Sequence, residues 1–272
     1  MKTRAWYVVS GAWVALALSS VAHAQSLERR VASAPDGSVR FSFAAKPGVY
    51  GNGRNMISWD CDNGNCHNRQ VDIDNYSDAA HKDWDMPCDS GPVRVALTKR
   101  GAAITDLRVY VGGEWRPSTT ATDLGTVGTK DAATYLLALA LKDESRASEK
   151  AIFPAVLADS VTIWPDLLKI AKADNVSRKV RRSAVFWLGQ AAGDAATRGL
   201  TDLVDDGSAD HEVRETAVFA LSQRPRDEGV PALIRIARQN KDPDLRRKAI
   251  FWLGQSDDPR ALSLFEELLT RP

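Results

Sequence analysis

Cysteine is scarce in this 272-residue chain, and its three cysteines all lie between positions 61 and 88. The fold therefore cannot depend on a dense framework of disulfides, as many small secreted domains do. Charge of one sign is missing as well, because 36 basic residues stand against 35 acidic ones. A protein that binds nucleic acid or a membrane surface through electrostatics carries a clear basic excess. Nucleic acid is consequently not an expected partner.

Long apolar runs are missing except near the N-terminus. Lys2 and Arg4 precede an apolar run at 5–18, and a small-x-small triplet ends at Ala24. This order predicts a secretory signal peptide, residues 1–24, that is cleaved after Ala24. The run is short for a membrane span, so we expect a periplasmic or secreted protein without membrane insertion after cleavage. An uncleaved N-terminal anchor is the alternative. Cleavage would remove two basic residues and no acid, which leaves a net charge of −1.

Known catalytic spacings are absent too. The chain contains no Gly-x-Ser-x-Gly, no His-Glu-x-x-His and no P-loop, which are the spacings that mark common hydrolases, metalloproteases and nucleotide-binding enzymes. The sequence therefore favours a protein without catalytic activity and predicts no cofactor.

An internal repeat dominates the C-terminal half. Residues 180–190 (VRRSAVFWLGQ) return as 213–223 (VRETAVFALSQ) and again as 245–255 (LRRKAIFWLGQ). Ala151 and Phe153 mark a weaker copy one step earlier. A period of this length predicts helix pairs that must stack, because one pair cannot bury its apolar face alone.

The second half of each unit repeats as well, with apolar residues in one helical register. These residues are Leu167, Leu200, Leu233 and Phe265. Polar residues that favour helix N-caps precede three of the units, namely Ser177, Asp210 and Asp242. The predicted units are 146–175, 177–208, 210–240 and 242–271.

The Val-Arg-Arg-x-Ala-Val-x-x-Leu-Gly runs resemble HEAT-like repeats of the phycobilisome-lyase type. The resemblance implies a curved α-solenoid, a fold that commonly serves as a binding scaffold. It does not by itself imply a particular activity.

The N-terminal half has a different pattern. Residues 38–44, 92–98 and 104–111 alternate apolar and polar side chains, as half-buried strands do. Residues 99–103 between the last two read as a hairpin turn. We therefore expect a small antiparallel sheet, followed by a helix with Thr129 as its N-cap.

Three segments of this half, at 39–44, 47–53 and 91–95, resemble the start of exported bacterial HEAT-repeat proteins. The predicted fold class is α+β. A small antiparallel β-rich domain at 25–128 precedes an all-α HEAT-like solenoid of about four helix pairs at 129–272.

The cysteines lie in a stretch rich in Gly, Asn and Asp that also holds two histidines. Cys61, Cys66 and Cys88 predict one disulfide in an oxidising compartment, with three pairings open. Zinc is the alternative, with His67 and His81 as further ligands, but the Cys-x4-Cys spacing is wider than that of common zinc knuckles.

Solenoids of this kind commonly bind partners on their concave face, which the second helices usually line. The exposed positions predicted there alternate in charge from unit to unit. They are Lys169, Lys172, Asp202, Asp205, Arg235, Arg238, Glu266 and Glu267. We call them the charged stripe, and they predict a protein partner of patterned charge. A solvated polar face is the alternative.

Two further sets recur in register. Arg181, Arg214 and Arg246 predict structural ion pairs between neighbouring repeats, and Asp210 and Asp242 precede two of them by four residues. The aromatic residues Phe186, Trp187, Phe251 and Trp252 predict core or inter-repeat packing.

An enzyme of this repeat class is the remaining alternative. Some HEAT-repeat proteins are deoxyhypusine hydroxylases, which hold two irons through several His-Glu pairs. This chain has one such pair, His211 and Glu212, which is too few for a diiron site. A lyase would need a chromophore pocket.

Overall fold

The computed structural model of the chain describes residues 26–54, 56–58, 61–62, 65–66, 70–72, 89–142, 145–191 and 194–270. The predicted signal peptide and its cleavage site lie outside these residues. Within them, no helix combines the length and the apolar character needed to cross a membrane.

The N-terminal half is built mainly from strands. Its elements are α1 (Leu27–Ser33), β1 (Gly37–Phe43), β2 (Tyr50–Gly51), β3 (Met56–Ser58), β4 (Cys61–Asp62), β5 (Asn65–Cys66), β6 (Gln70–Asp72), β7 (Asp89–Ser90), β8 (Val93–Arg100), β9 (Ala103–Val111) and β10 (Ala121–Thr126). The three predicted strands correspond to β1, β8 and β9, and Gly101 supplies the positive φ of the hairpin turn between the last two.

The larger sheet has the strand order β10-β1-β8-β9. Strands β1, β8 and β9 are antiparallel as predicted, whereas β10 runs parallel to β1. The sequence did not predict β10, because this edge strand buries no side chain and shows no apolar alternation. On β1, Val39, Phe41 and Phe43 are fully buried and form the base of the core.

A second, smaller sheet has the order β6-β3-β2-β7, and β4 pairs with β5 as a hairpin. Each of these strands has only two or three residues. Such short strands in a Gly- and Asn-rich stretch carry too little periodicity for a sequence pattern to reveal. Helix α1 was also missed.

The C-terminal half is a run of helices. They are α2 (Thr129–Ala140), α3 (Arg146–Val156), α4 (Trp164–Ala171), α5 (Arg178–Gly189), α6 (Asp194–Asp205), α7 (His211–Ser222), α8 (Arg226–Gln239), α9 (Pro243–Gly254) and α10 (Pro259–Thr270). The four predicted units correspond to the pairs α3–α4, α5–α6, α7–α8 and α9–α10, and the HEAT-like solenoid is therefore confirmed as a fold.

Capping explains where the first helices of these pairs begin. The side chains of Ser177, Asp210 and Asp242 each accept a hydrogen bond from a backbone N–H in the first turn of α5, α7 and α9. The predicted cap at Thr129 is wrong. Gly128 occupies the N-cap of α2, and it offers no side chain to accept a bond.

The sheet and the helices share one core. A continuous cluster of buried apolar residues runs from Leu27 to Leu264. Backbone bonds also join the halves, because Lys46 N–H donates to the Leu157 carbonyl at 2.8 Å. The solenoid is thus anchored on the sheet, and the boundary at residue 128 stays a prediction.

A buried arginine connects the middle repeats through hydrogen bonds. The guanidinium of Arg224, whose side chain is 4% exposed, donates to Thr197 Oγ1 and to Glu228 Oε2, both at 2.8 Å. It also donates to the carbonyls of Gly189 and Ala191 at the end of α5. The Thr197 hydroxyl and the guanidinium hold the pKa of Glu228 below its ordinary value.

Replacing Arg224 tests whether these hydrogen bonds stabilise the stacked repeats. We expect Arg224→Met to lower the free energy of unfolding by about 3 kcal/mol, because a carboxylate and two carbonyls lose the hydrogen bonds that the guanidinium donates. Arg198→Met, at an exposed position of α6, is the matched control and should stay within about 0.5 kcal/mol of the native chain. Urea unfolding measures both. Equal losses of unfolding free energy in the two variants would show that the hydrogen bonds of Arg224 do not stabilise the stacked repeats.

Candidate binding groove

A broad depression on the described surface crosses the first helices of three repeats. It has a volume of about 1020 Å³ and is lined by residues of α5, α7 and α9. Phe186, Phe219 and Trp252 contribute its aromatic surface, and Ser183 and Thr216 lie between them. We call this depression the groove.

The first helices pack closely from one repeat to the next. Helix α5 packs against α7, and α7 against α9, more extensively than the second helices α6, α8 and α10 pack against one another. A Cβ built on Gly189 of α5 would lie 2.8 Å from the Cβ of Ala220 on α7, so two small residues let these helices meet. The assignment of the concave face to the second helices stays a prediction.

Aromatic side chains connect the first helices of neighbouring repeats. Trp187 packs on Phe153 of the preceding repeat with ring centroids 5.5 Å apart. Trp252, at the same repeat position, packs on Phe219 with centroids 5.0 Å apart. Trp187 is buried. The predicted inter-repeat packing is therefore confirmed for both tryptophans.

The phenylalanines next to these tryptophans are more exposed than predicted. Phe186 is 38% exposed and Phe251 is 57% exposed. Each contacts the tryptophan that follows it on its own helix, at centroid distances of 5.1 Å and 5.0 Å. Phe186 faces the groove, whereas Phe251 lies outside it.

Charged side chains surround the aromatic surface in pairs that cross from helix to helix. Arg178 Nη1 lies 3.1 Å from Glu212, and Arg182 Nη1 lies 3.6 Å from the same carboxylate. Lys248 Nζ lies 3.0 Å from Glu215. With Lys179, the lining has four basic residues and two acidic ones.

Two of the three predicted arginines link neighbouring repeats, whereas Arg246 donates to the backbone carbonyls of Asn240 and Lys241 just before its own helix. Arg181 Nη2 lies 3.6 Å from Asp210, and Arg214 Nη1 lies 3.4 Å from Asp242. Each aspartate thus pairs with the arginine of the preceding repeat and not with the one four residues later. Arg214 Nε also donates to the Val204 carbonyl at 3.0 Å.

The same two aspartates cap helices. Desolvation alone would raise the pKa of Asp210, but the backbone N–H of Glu212 and the guanidinium of Arg178 hold it below its ordinary value of 3.8. Desolvation also opposes the lowering of the pKa of Asp242, which comes mainly from the backbone N–H of Asp244.

The charged stripe lies on the second-helix side of the stack, apart from the groove. Its members pair with each other, because Arg235 Nη2 lies 2.7 Å from Asp205 and Arg238 bonds Glu267. The two arginines also line a smaller depression of about 410 Å³ between α8 and α10. Partner binding by the stripe stays a prediction.

The cysteine and histidine cluster is only partly within the described residues. Cys61 and Cys66 are register partners on β4 and β5, while His67, His81 and Cys88 lie outside the described residues. Among those that are described, no group of three His, Cys, Asp or Glu side chains could hold a metal ion. The disulfide and the zinc site both stay predictions.

The pair His211 and Glu212 does not converge on one point. His211 Nδ1 lies 3.2 Å from Asp242, and Glu212 turns to Arg178 and Arg182. Both side chains are thus engaged in contacts between helices.

The capping aspartates predict an acid-sensitive fold. A carboxyl group whose folded-state pKa lies below the unfolded value stabilises the fold above that value, and this stability is lost as the pH falls through the folded-state pKa. We expect the melting temperature to fall less between pH 7 and pH 3 in the double variant Asp210→Asn, Asp242→Asn, because Asn caps a helix but carries no charge. Thermal unfolding followed by circular dichroism checks this. An equal fall in both proteins would show that the two charges do not matter.

Comparison with known proteins agrees with this architecture. A family model of HEAT repeats matches residues 197–272, which include most of α6 and all of α7 to α10. No curated protein matches the chain. The match and the stacked helix pairs together support a HEAT-repeat architecture for the C-terminal half.

Proposed function

We propose that this protein is a non-catalytic scaffold of the cell envelope that binds a protein partner in the groove. HEAT repeats are generally protein-interaction scaffolds. The observation that carries the proposal is the groove itself, an open aromatic surface surrounded by charged side chains on the first helices of three repeats. Exposed aromatic residues within a polar frame are typical of protein interfaces. The export part of the proposal rests on the N-terminal sequence pattern alone.

Site-specific photo-crosslinking in native cells tests the location of binding. We expect p-benzoylphenylalanine in place of Thr216, in the middle of the groove, to give a discrete adduct with another protein. The same probe in place of Glu114, an exposed residue of the N-terminal half, is the negative control. Adducts from Arg235 and none from Thr216 would place the partner on the charged stripe instead. Equal labelling at all three positions would contradict a specific site.

The charged stripe gives a second variant. Arg235→Glu with Arg238→Glu should change the free energy of unfolding by no more than about 1 kcal/mol, because exposed ion pairs contribute little. If the groove holds the partner, the Thr216 adduct should persist in this variant at an unchanged yield. Its loss would show that the stripe takes part in binding.

A further inference from the structure

Among the described residues, ring contacts between the first helices of neighbouring repeats occur from α3 to α5 and from α7 to α9, but not from α5 to α7. Trp187 covers Phe153, and Trp252 covers Phe219. The corresponding residue of α7 is Ala220, which has no ring to place on Phe186. Among the rings that the structure describes, Phe186 contacts only Trp187 of its own helix.

The gap is built into the contact between α5 and α7. Ala220 is 1% exposed and lies against Gly189 at the closest approach of the two helices. The small pair brings the helices together, but α7 places no aromatic ring on Phe186. Phe186 is therefore open to the groove, whereas Phe153 and Phe219 are covered by indoles.

The charged side chains that line the groove favour a partner with negative charge. Arg178 and Arg182 share Glu212, and their side chains are 54% and 56% exposed, against 48% for that glutamate. Lys248 is 38% exposed, against 29% for its partner Glu215. In each pair the basic group is more exposed than the carboxylate. Exposed ion pairs are weak, so a carboxylate from a partner can join the shared guanidinium groups at little cost.

We propose that the groove binds a protein segment in which an aromatic side chain is flanked by carboxylates. The ring would cover Phe186 as Trp252 covers Phe219, and the carboxylates would meet Arg182 and Lys248. This inference deepens the proposed scaffold function and rests on it. It names the chemistry of the partner, which the repeat fold does not specify.

Defined peptides test this chemistry on the chain that begins at Gln25. The probes are Ac-EEWEE-amide, the same peptide with alanine in place of tryptophan, and Ac-KKWKK-amide, titrated while the backbone NMR signals of Ser183 and Thr216 are followed. We expect Ac-EEWEE-amide to bind about tenfold more tightly than either control, as one aromatic pair and its charge partners would give.

Two phenylalanines at the same repeat position supply matched variants. Phe186→Ala should weaken binding of Ac-EEWEE-amide about tenfold, whereas Phe251→Ala should leave it within about twofold. Thermal unfolding of both variants shows that they are folded. Equal effects of the two substitutions, a preference for Ac-KKWKK-amide, or no saturable binding would each overturn the inference. An adduct from Thr216 together with any of these results would leave the groove as a binding surface and reject only the partner chemistry.

Discussion

Each helix pair in the C-terminal half has more apolar surface than it can cover, and its neighbours cover the rest. The equivalent residues Ala184, Ala217 and Ala249 are completely buried in three successive repeats. This burial between repeats positions the helices. The groove lies on the first helices, and Phe219 and Trp252 contribute both to its surface and to the packing between two repeats.

Polar contacts refine this arrangement. Asp210 and Asp242 each cap the start of one helix and pair with an arginine of the preceding repeat. Arg224 connects the end of α5 to α6 and α8. These contacts cross the same junctions between repeats that the apolar core fills.

The parts of the fold that repeat or alternate could be predicted from sequence. The caps at Ser177, Asp210 and Asp242 and the strands β1, β8 and β9 follow directly from local chemistry. Strand β10 could not be predicted, because an exposed edge strand that pairs in parallel depends on a distant partner.

The candidate site was less accessible to sequence reasoning. The groove forms where the first helices of three repeats pack side by side, and no periodic sequence pattern states the distances between those helices. A signal was nevertheless present. Ala220 stands where the flanking repeats have tryptophan, and Gly189 stands opposite it. Reading the repeats for the position that breaks the pattern, and not for the positions that keep it, would have pointed to Phe186.

The ion pair between an arginine and the capping aspartate of the next unit bears on how such a chain can be lengthened by duplication of a repeat. The same ion pair occurs between α5 and α7 and between α7 and α9. A copied unit would therefore meet its neighbours through contacts that already exist. The aromatic contact differs between the same two junctions, because Trp252 packs on Phe219 while Ala220 places no ring on Phe186. Duplication of a repeat therefore preserves the ion pair, while the groove residues of each new copy can differ.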